Sequence, residues 1–404
     1  MNILRTPQPA EASLHASPES SGRIGELEVL RTTAILMVLA AHLPFNLLFW
    51  PSSYSHTLYQ LGTWSGVDLF FAVSGFVIAR SLLPQLENVQ GAREFLRVAA
   101  VFWIRRAWRL WPSAWLWLAM PLFLCVFFNR AHVYGSFSAN WSMAVAGILN
   151  LVNFHLAYIF SHHKTDMGTA FAQWSLSLEE QFYMLLPFAA WAFRRYLPIP
   201  LFAVLILAFF IPNTALSWMI RGGAVSAGVL LAIAARHPAY QHCAPTFLGR
   251  HRLARIAFLT GGVALLISVG DQALNIVPFI QGPIAILSAL LVWAASYGQG
   301  FLWRPGLSRR IMEIIAARSY SLYLVHIPVF FGMHEMWFRL YTLAVPTHPL
   351  ATPTHRQAII YFALTLIPLT LVTELNYRLL ERPLRERGKE VARRYARRLQ
   401  AAES

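Results

Sequence analysis

The sequence predicts an all-α, polytopic membrane helix bundle of about ten spanning helices, with N- and C-termini in the cytoplasm. Three observations predict it. First, 57% of the 404 residues are hydrophobic and only 13% are charged, with a mean hydropathy of +0.49. An average soluble domain carries about 25% charged residues, so a soluble protein of this composition would lack polar surface to cover its core. Second, apolar residues run continuously for about 20 positions at a time, the length of helix that crosses a bilayer. They do not alternate as barrel strands do. Third, when the spans alternate from a cytoplasmic N-terminus, 27 of the 33 Lys and Arg residues fall on the inner side and 5 on the outer side, with Arg31 inside the first span. That is the positive-inside bias of a multi-pass membrane protein, and it accounts for the net charge of +15 without nucleic acid.

Along the chain, residues 1–25 hold Pro, Ser and Glu and no apolar core. They read as a disordered cytoplasmic tail, not a cleaved signal. The membrane domain is expected over 26–385, with spans near 28–49, 64–86, 110–128, 174–193, 198–213, 215–235, 256–275, 277–297, 318–338 and 358–380. The apolar stretch 141–160 is the exception. Were it to cross, Arg194 and Arg195 would arrive outside, so it reads as a re-entrant or surface segment. From Arg382 the chain mixes Arg and Glu, and 386–404 reads as a basic cytoplasmic tail, helical at the inner surface and anchored to anionic lipid. Cys125 and Cys243 are too few for a disulfide framework or a cysteine zinc site, and the histidines lack metal-ligand spacing.

Ionisable groups inside spans are costly and mark candidate functional positions. In LRTTAILMVLAAHLPF, Arg31 and His42 are eleven residues apart. That is three turns and about 20°, which puts both on one helix face about 16 Å apart. His42, near mid-bilayer, can take a proton from a hydroxyl. It reads equally as a core histidine bonded to a neighbouring helix. In GVDLFFAVSGF, Asp68 needs a partner, whereas Ser74 and Gly75 read as helix-packing positions. In FWIRRAWRLWP, Arg105, Arg106 and Arg109 form a basic cluster, with Arg105 and Arg109 on one face. Arginine forks suit phosphate, although charge alone favours an inner-surface stop. In QWSLSLEEQFY, Glu179 and Tyr183 share a face four residues apart, beside Glu180. His326 lies within a span in SYSLYLVHIPVF. Glu374, Arg378 and Glu381 then recur at a spacing that suggests an intrahelical ion-pair ladder.

Taken together, Arg31 with His42, GVDLFF..SGF, the Arg105-Arg106-Arg109 cluster, WSLSLEEQFY, SYSLYLVHIP and YRLLERP stand in one order over about 26–385. The set resembles acyltransferase family 3, integral membrane proteins that transfer acyl groups, often acetyl, to carbohydrate hydroxyls. The resemblance implies a bacterial inner-membrane enzyme with acyl-CoA as donor substrate and no permanently bound cofactor. Its acceptor would be a carbohydrate or glycolipid. Membrane lipids would be its other partners, with no nucleic acid. It also implies that His42 is catalytic and paired with Arg31, that Glu179 orients or charge-stabilises a histidine, and that Arg105, Arg106 and Arg109 handle the CoA phosphates. Asp68, Ser74, Tyr183, His326 and Glu381 are further candidates. Where members usually read LDGLR, this chain reads LEVLR, with Glu28 and Val29 in place of the acid and the glycine. The chain is expected to lack the C-terminal esterase-like domain that some members add. On physics alone, a carrier or flippase for glycans or lipid-linked sugars explains the spans and buried charges equally well. It would move substrate without consuming donor.

Overall fold

The apolar run after residue 24 forms the first helix, α1 (Gly25–His42). It stops where Pro44 removes an N–H from the helical ladder, and Asn46 Nδ2 donates to the freed His42 carbonyl at 2.8 Å. Its first turn is held by Glu26, whose buried carboxylate accepts the backbone N–H groups of Gly300 at 2.8 Å and Leu302 at 2.5 Å. The structure is a computed structural model that describes residues 24–44, 46–48, 53–271, 279–344 and 354–401. Of the expected N-terminal tail, 1–25, residues 1–23 lie outside the described residues, and Gly25 already begins α1.

After α1 come α2 (Ser53–Gln60), α3 (Gly66–Leu86) and α4 (Ala92–Phe127). At 1.5 Å per residue α4 is about 54 Å long, well beyond an apolar bilayer core of about 30 Å. Its first half carries the arginines from Arg93 to Arg109. The stretch 141–160 folds as two short helices, α5 (Phe137–Ile148) and α6 (Val152–Ser161), broken where Asn150 takes a φ of 56°. They are about 18 and 15 Å long, so neither reaches across a bilayer.

The chain continues through α7 (Trp174–Phe193), α8 (Pro198–Leu207), α9 (Ala215–Met219) and α10 (Gly223–Ala234). Arg194, at φ 48°, opens the turn between α7 and α8, and the chain bends there by 109°. The expected span 215–235 is broken between α9 and α10, and Thr214 starts α9 with a capping box closed by Ser217. Then follow α11 (Thr246–Arg250), α12 (Arg252–Val269), α13 (Gln281–Ser296), α14 (Leu307–Ala317), α15 (Ser319–Ala344), α16 (His355–Asn376) and α17 (Arg382–Ala401). The expected boundary at 385 falls inside α17. That helix packs along α4, with Gly388 against Trp108 and Ala392 fully buried.

The described residues are helical, with no strand among them. Four stretches are long and apolar enough to cross a membrane, Thr63–Leu86, Ala92–Phe127, Arg252–Val269 and Arg356–Leu399. There are up to six if the bent pairs at α7–α8 and α14–α15 each count as one span. At the centre, α1 packs on α3, α13 and α15, and α3 lies tight against α10. A Cβ on Gly75 would stand 2.3 Å from the Val225 carbonyl oxygen, and one on Gly228 would stand 2.1 Å from that of Ala72. Only glycine permits this approach, which bears out packing as the role of Gly75.

Candidate active site

α1 presents Arg31, Ala34, Ile35, Val38 and His42 at helical spacing on one face. The middle three line a narrow chamber of about 30 Å³, closed by Ser175 and Glu179 of α7 and by Tyr320 and Tyr323 of α15. Ala34, Ile35 and Val38 lie between Arg31 and His42 along α1, and neither Arg31 nor His42 lines the chamber itself.

At the far end of α1, the His42 ring meets the edge of Phe171 and lies beside His326. His42 Nδ1 is 3.1 Å from His326 Nε2, and His326 is fully buried. His326 Nδ1 lies 2.6 Å from the Tyr323 carbonyl oxygen. A carbonyl oxygen only accepts, so His326 Nδ1 carries the proton and its Nε2 is left as an acceptor. His42 Nδ1 then donates to that Nε2, and the lone pair of His42 is placed on Nε2. The Tyr323 carbonyl thus sets the His326 tautomer and through it orients the His42 ring, which also bonds the Val38 backbone.

This arrangement corrects the expected role of Glu179. Its carboxylate accepts from the hydroxyls of Ser74 and Tyr183, and the ring nitrogen facing His42 belongs to His326. Ser74 and Tyr183 also bond each other at 2.8 Å. Ser74 is therefore a member of a buried polar cluster, contrary to the packing role read for it. The physical reason is register. Glu179 sits on α7 beside the chamber, and α3 brings Ser74 to it.

The three arginines of α4 do not share one face toward the bundle. Arg105 is exposed. Arg106 turns inward, its guanidinium 5.1 Å from the Tyr183 ring centre and 5.5 Å from that of Phe102. Successive helical residues differ by about 100° in direction, so α4 separates Arg105 from Arg106. Arg109 is half-buried with its Nε unpaired, whereas Arg105 is exposed, so the expected common face of those two is not a common environment. Arg106 also lines a cleft of about 240 Å³ between α4 and α7, next to Trp111 and Glu180. Arg31 pairs with Glu28 at 3.2 Å, so the residue that departs from the usual LDGLR pattern supplies its counter-charge.

Asp68 finds the partner that its burial requires. Arg221 Nε lies 3.1 Å from both its carboxylate oxygens, and both side chains are nearly fully buried. The guanidinium sits between Trp64, Trp174 and Trp218, at 4.6 to 5.0 Å from their ring centres. In the sequence Arg221 reads as an outer-loop charge, and the only signal pointing to it was the unpartnered Asp68.

The expected ladder is also corrected. Glu374 pairs with Arg378, but also with Arg318 of the turn before α15, each at 2.5 Å. Glu381 turns inward and accepts from the Ser321 hydroxyl at 2.7 Å. A π-helical turn over Tyr377–Glu381 adds a residue to the ladder and rotates Glu381 off the Arg378 face.

The model of acyltransferase family 3, described as an acyltransferase domain, matches residues 24–374. Peptidoglycan O-acetyltransferase OatA of Listeria monocytogenes is 26% identical over 395 residues, covering 90% of this chain and 56% of that protein. O-acetyltransferase OatA of Staphylococcus aureus strain NCTC 8325 is 25% identical over 400 residues, covering 90% of this chain and 57% of its own. The chain thus spans little more than half the length of these relatives. No solved structure matches it.

Proposed function

Because the chain belongs to acyltransferase family 3, we propose that it is an integral membrane O-acyltransferase that moves an acetyl group from acyl-CoA to a hydroxyl of a cell-wall or other exported carbohydrate. The observation that carries this reading is the hydrogen-bonded chain from the Tyr323 carbonyl through His326 to His42, which orients the His42 ring. The name of the Listeria relative, a peptidoglycan O-acetyltransferase, supports a glycan of the cell wall as acceptor.

In this reading His42 Nε2 takes the proton of the acceptor hydroxyl as its oxygen attacks the thioester carbonyl. The tetrahedral intermediate collapses by breaking the C–S bond. The imidazolium returns its proton to the departing thiolate, which leaves as CoA thiol. The transient charge on His42 is shared with His326 through their bond. Arg106, which lines the cleft between α4 and α7, holds the anionic end of the donor. Glu179, with Ser74 and Tyr183, shapes the chamber wall.

The direct test is to supply the purified chain in vesicles with acetyl-CoA and a glycan acceptor. The expected result is acetylated glycan and free CoA thiol in equal amounts. Movement of glycan across the vesicle with no CoA released would discard acyl transfer in favour of a carrier.

With a cytoplasmic N-terminus, the charge bias supports a multi-pass topology in the bacterial inner membrane with both termini cytoplasmic. In that scheme the segment 236–255 is internal, and it carries Cys243, which is exposed. A membrane-impermeant thiol reagent is expected to label Cys243 in inside-out vesicles and to spare it in intact cells. Labelling from outside would invert the scheme.

A further inference from the structure

A cavity of about 440 Å³ opens between the start of α12 and the loop that leads into α14. It shares no lining residue with the chamber beside His42. Arg252, Arg255 and Arg304 line it together with Trp303 and Ser308, and none of its lining residues is a carboxylate. Arg252 and Arg255 are three residues apart on α12, so two like charges share one helix face with nothing in the cavity wall to offset them.

Arg255 is the telling residue. It is only 8% exposed, and its buried Nη1 has no hydrogen-bond partner. A guanidinium keeps its proton at any ordinary pH. Unlike a buried lysine, it cannot relieve its burial by becoming neutral, so it needs an acceptor. Its neighbours are ready to receive the same group. The Trp303 indole donates to Ser308 Oγ at 3.0 Å, which leaves the Ser308 hydroxyl proton free to donate elsewhere. Arg304 spends one Nη on the Gly249 carbonyl, which fixes the side chain at the rim. Three planar cationic forks and a hydroxyl around a pocket of small-molecule size suit the several oxygens and double charge of a phosphate.

We propose that this cavity is a phosphate-binding site, with Arg255 as its central donor and Arg252, Arg304 and Ser308 around it. Two sources carry that chemistry, the nucleotide phosphates of CoA and the headgroup of an anionic phospholipid. The site is argued from its own residues and goes beyond the acyl-transfer reading. A chain that failed to transfer acetyl groups would still be expected to bind here.

The full chain, reconstituted in phosphatidylcholine nanodiscs, would be titrated with CoA by calorimetry. In parallel, nanodiscs containing phosphatidylglycerol would be scored for lipid retained by the protein. At least one of these ligands is expected to bind, and Arg255→Gln is expected to weaken it at least tenfold. Arg255→Lys should keep part of the affinity, and the binding should weaken as salt rises. Loss of CoA binding in Arg255→Gln identifies a nucleotide site, and loss of retained phosphatidylglycerol identifies a lipid site. If Arg255→Gln does not fold, the pair Arg252→Gln and Arg304→Gln, both exposed positions, carries the same test. Equal CoA affinity and equal lipid retention in wild type and variant would overturn the proposal.

Discussion

His42→Ala is expected to lower acyl transfer by about two to four orders of magnitude, the usual contribution of a positioned general base, with little change in the amount of folded protein. The fold should tolerate the change because the His42 backbone carbonyl, not its ring, is what Asn46 holds at the end of α1. The measurement is acetyl transfer to glycan in membranes, normalised to protein detected by immunoblot. Full activity at normal abundance would remove His42 from the chemistry. The same experiment on His326 separates positioning from acid–base action. His326→Ala leaves His42 Nδ1–H without its acceptor and frees the ring to adopt the other tautomer. A loss of about 10–100-fold, of the size seen when an orienting partner is removed, is expected. His326→Gln, which can still accept from His42, should recover part of it and shift the pH profile of the remainder. If His326→Gln is no better than His326→Ala, the hydrogen bond between the two rings is not what orients His42.

The second large effect is on stability. Arg221→Leu leaves the Asp68 carboxylate buried with no counter-charge, and Asp68→Leu leaves a guanidinium enclosed by three tryptophans. Breaking one side of a buried ion pair costs about 3–5 kcal/mol, so each variant should melt well below the wild type in detergent. Replacing both, Asp68→Leu with Arg221→Met, is expected to regain much of the loss, because a matched apolar pair carries no desolvation cost. The check is thermal unfolding of all three variants. Single variants that melt with the wild type would show that the pair does not tie α3 to the turn before α10.

How far these features were legible in the sequence depends on the range of the interaction behind each one. The relation of Arg31 to His42 follows from 3.6 residues per turn, and the α1 residues between them, Ala34, Ile35 and Val38, line the chamber. Asp68 announced that it needed a partner, yet its spacing held nothing to show that Arg221, 153 residues away, would supply it. Glu179 read as a histidine's partner because the family resemblance implies that role for the acid of the WSLSLEEQFY motif. The packing of α3 on α7 gave its carboxylate to Ser74 instead. The π-helical turn that rotated Glu381 away from Arg378 lies just ahead of Pro383, which marks a disturbance of the helix but not the direction of the register change.

The linear chain by itself determined the solvent and the helical class, because composition, run length and charge bias are summed over many residues and need no knowledge of contacts, and its ordered motifs carried the resemblance to the family. It also gives which side chains share a helix face where the helix is regular, though not across the π-helical turn at Tyr377–Glu381. The tertiary structure alone decided which faces meet. That choice joined His42 to His326, sank Arg221 among tryptophans and left Arg255 buried beside an open cavity. Such pairings depend on how helices far apart in sequence cross, and crossing is set by packing that short-range periodicity does not encode.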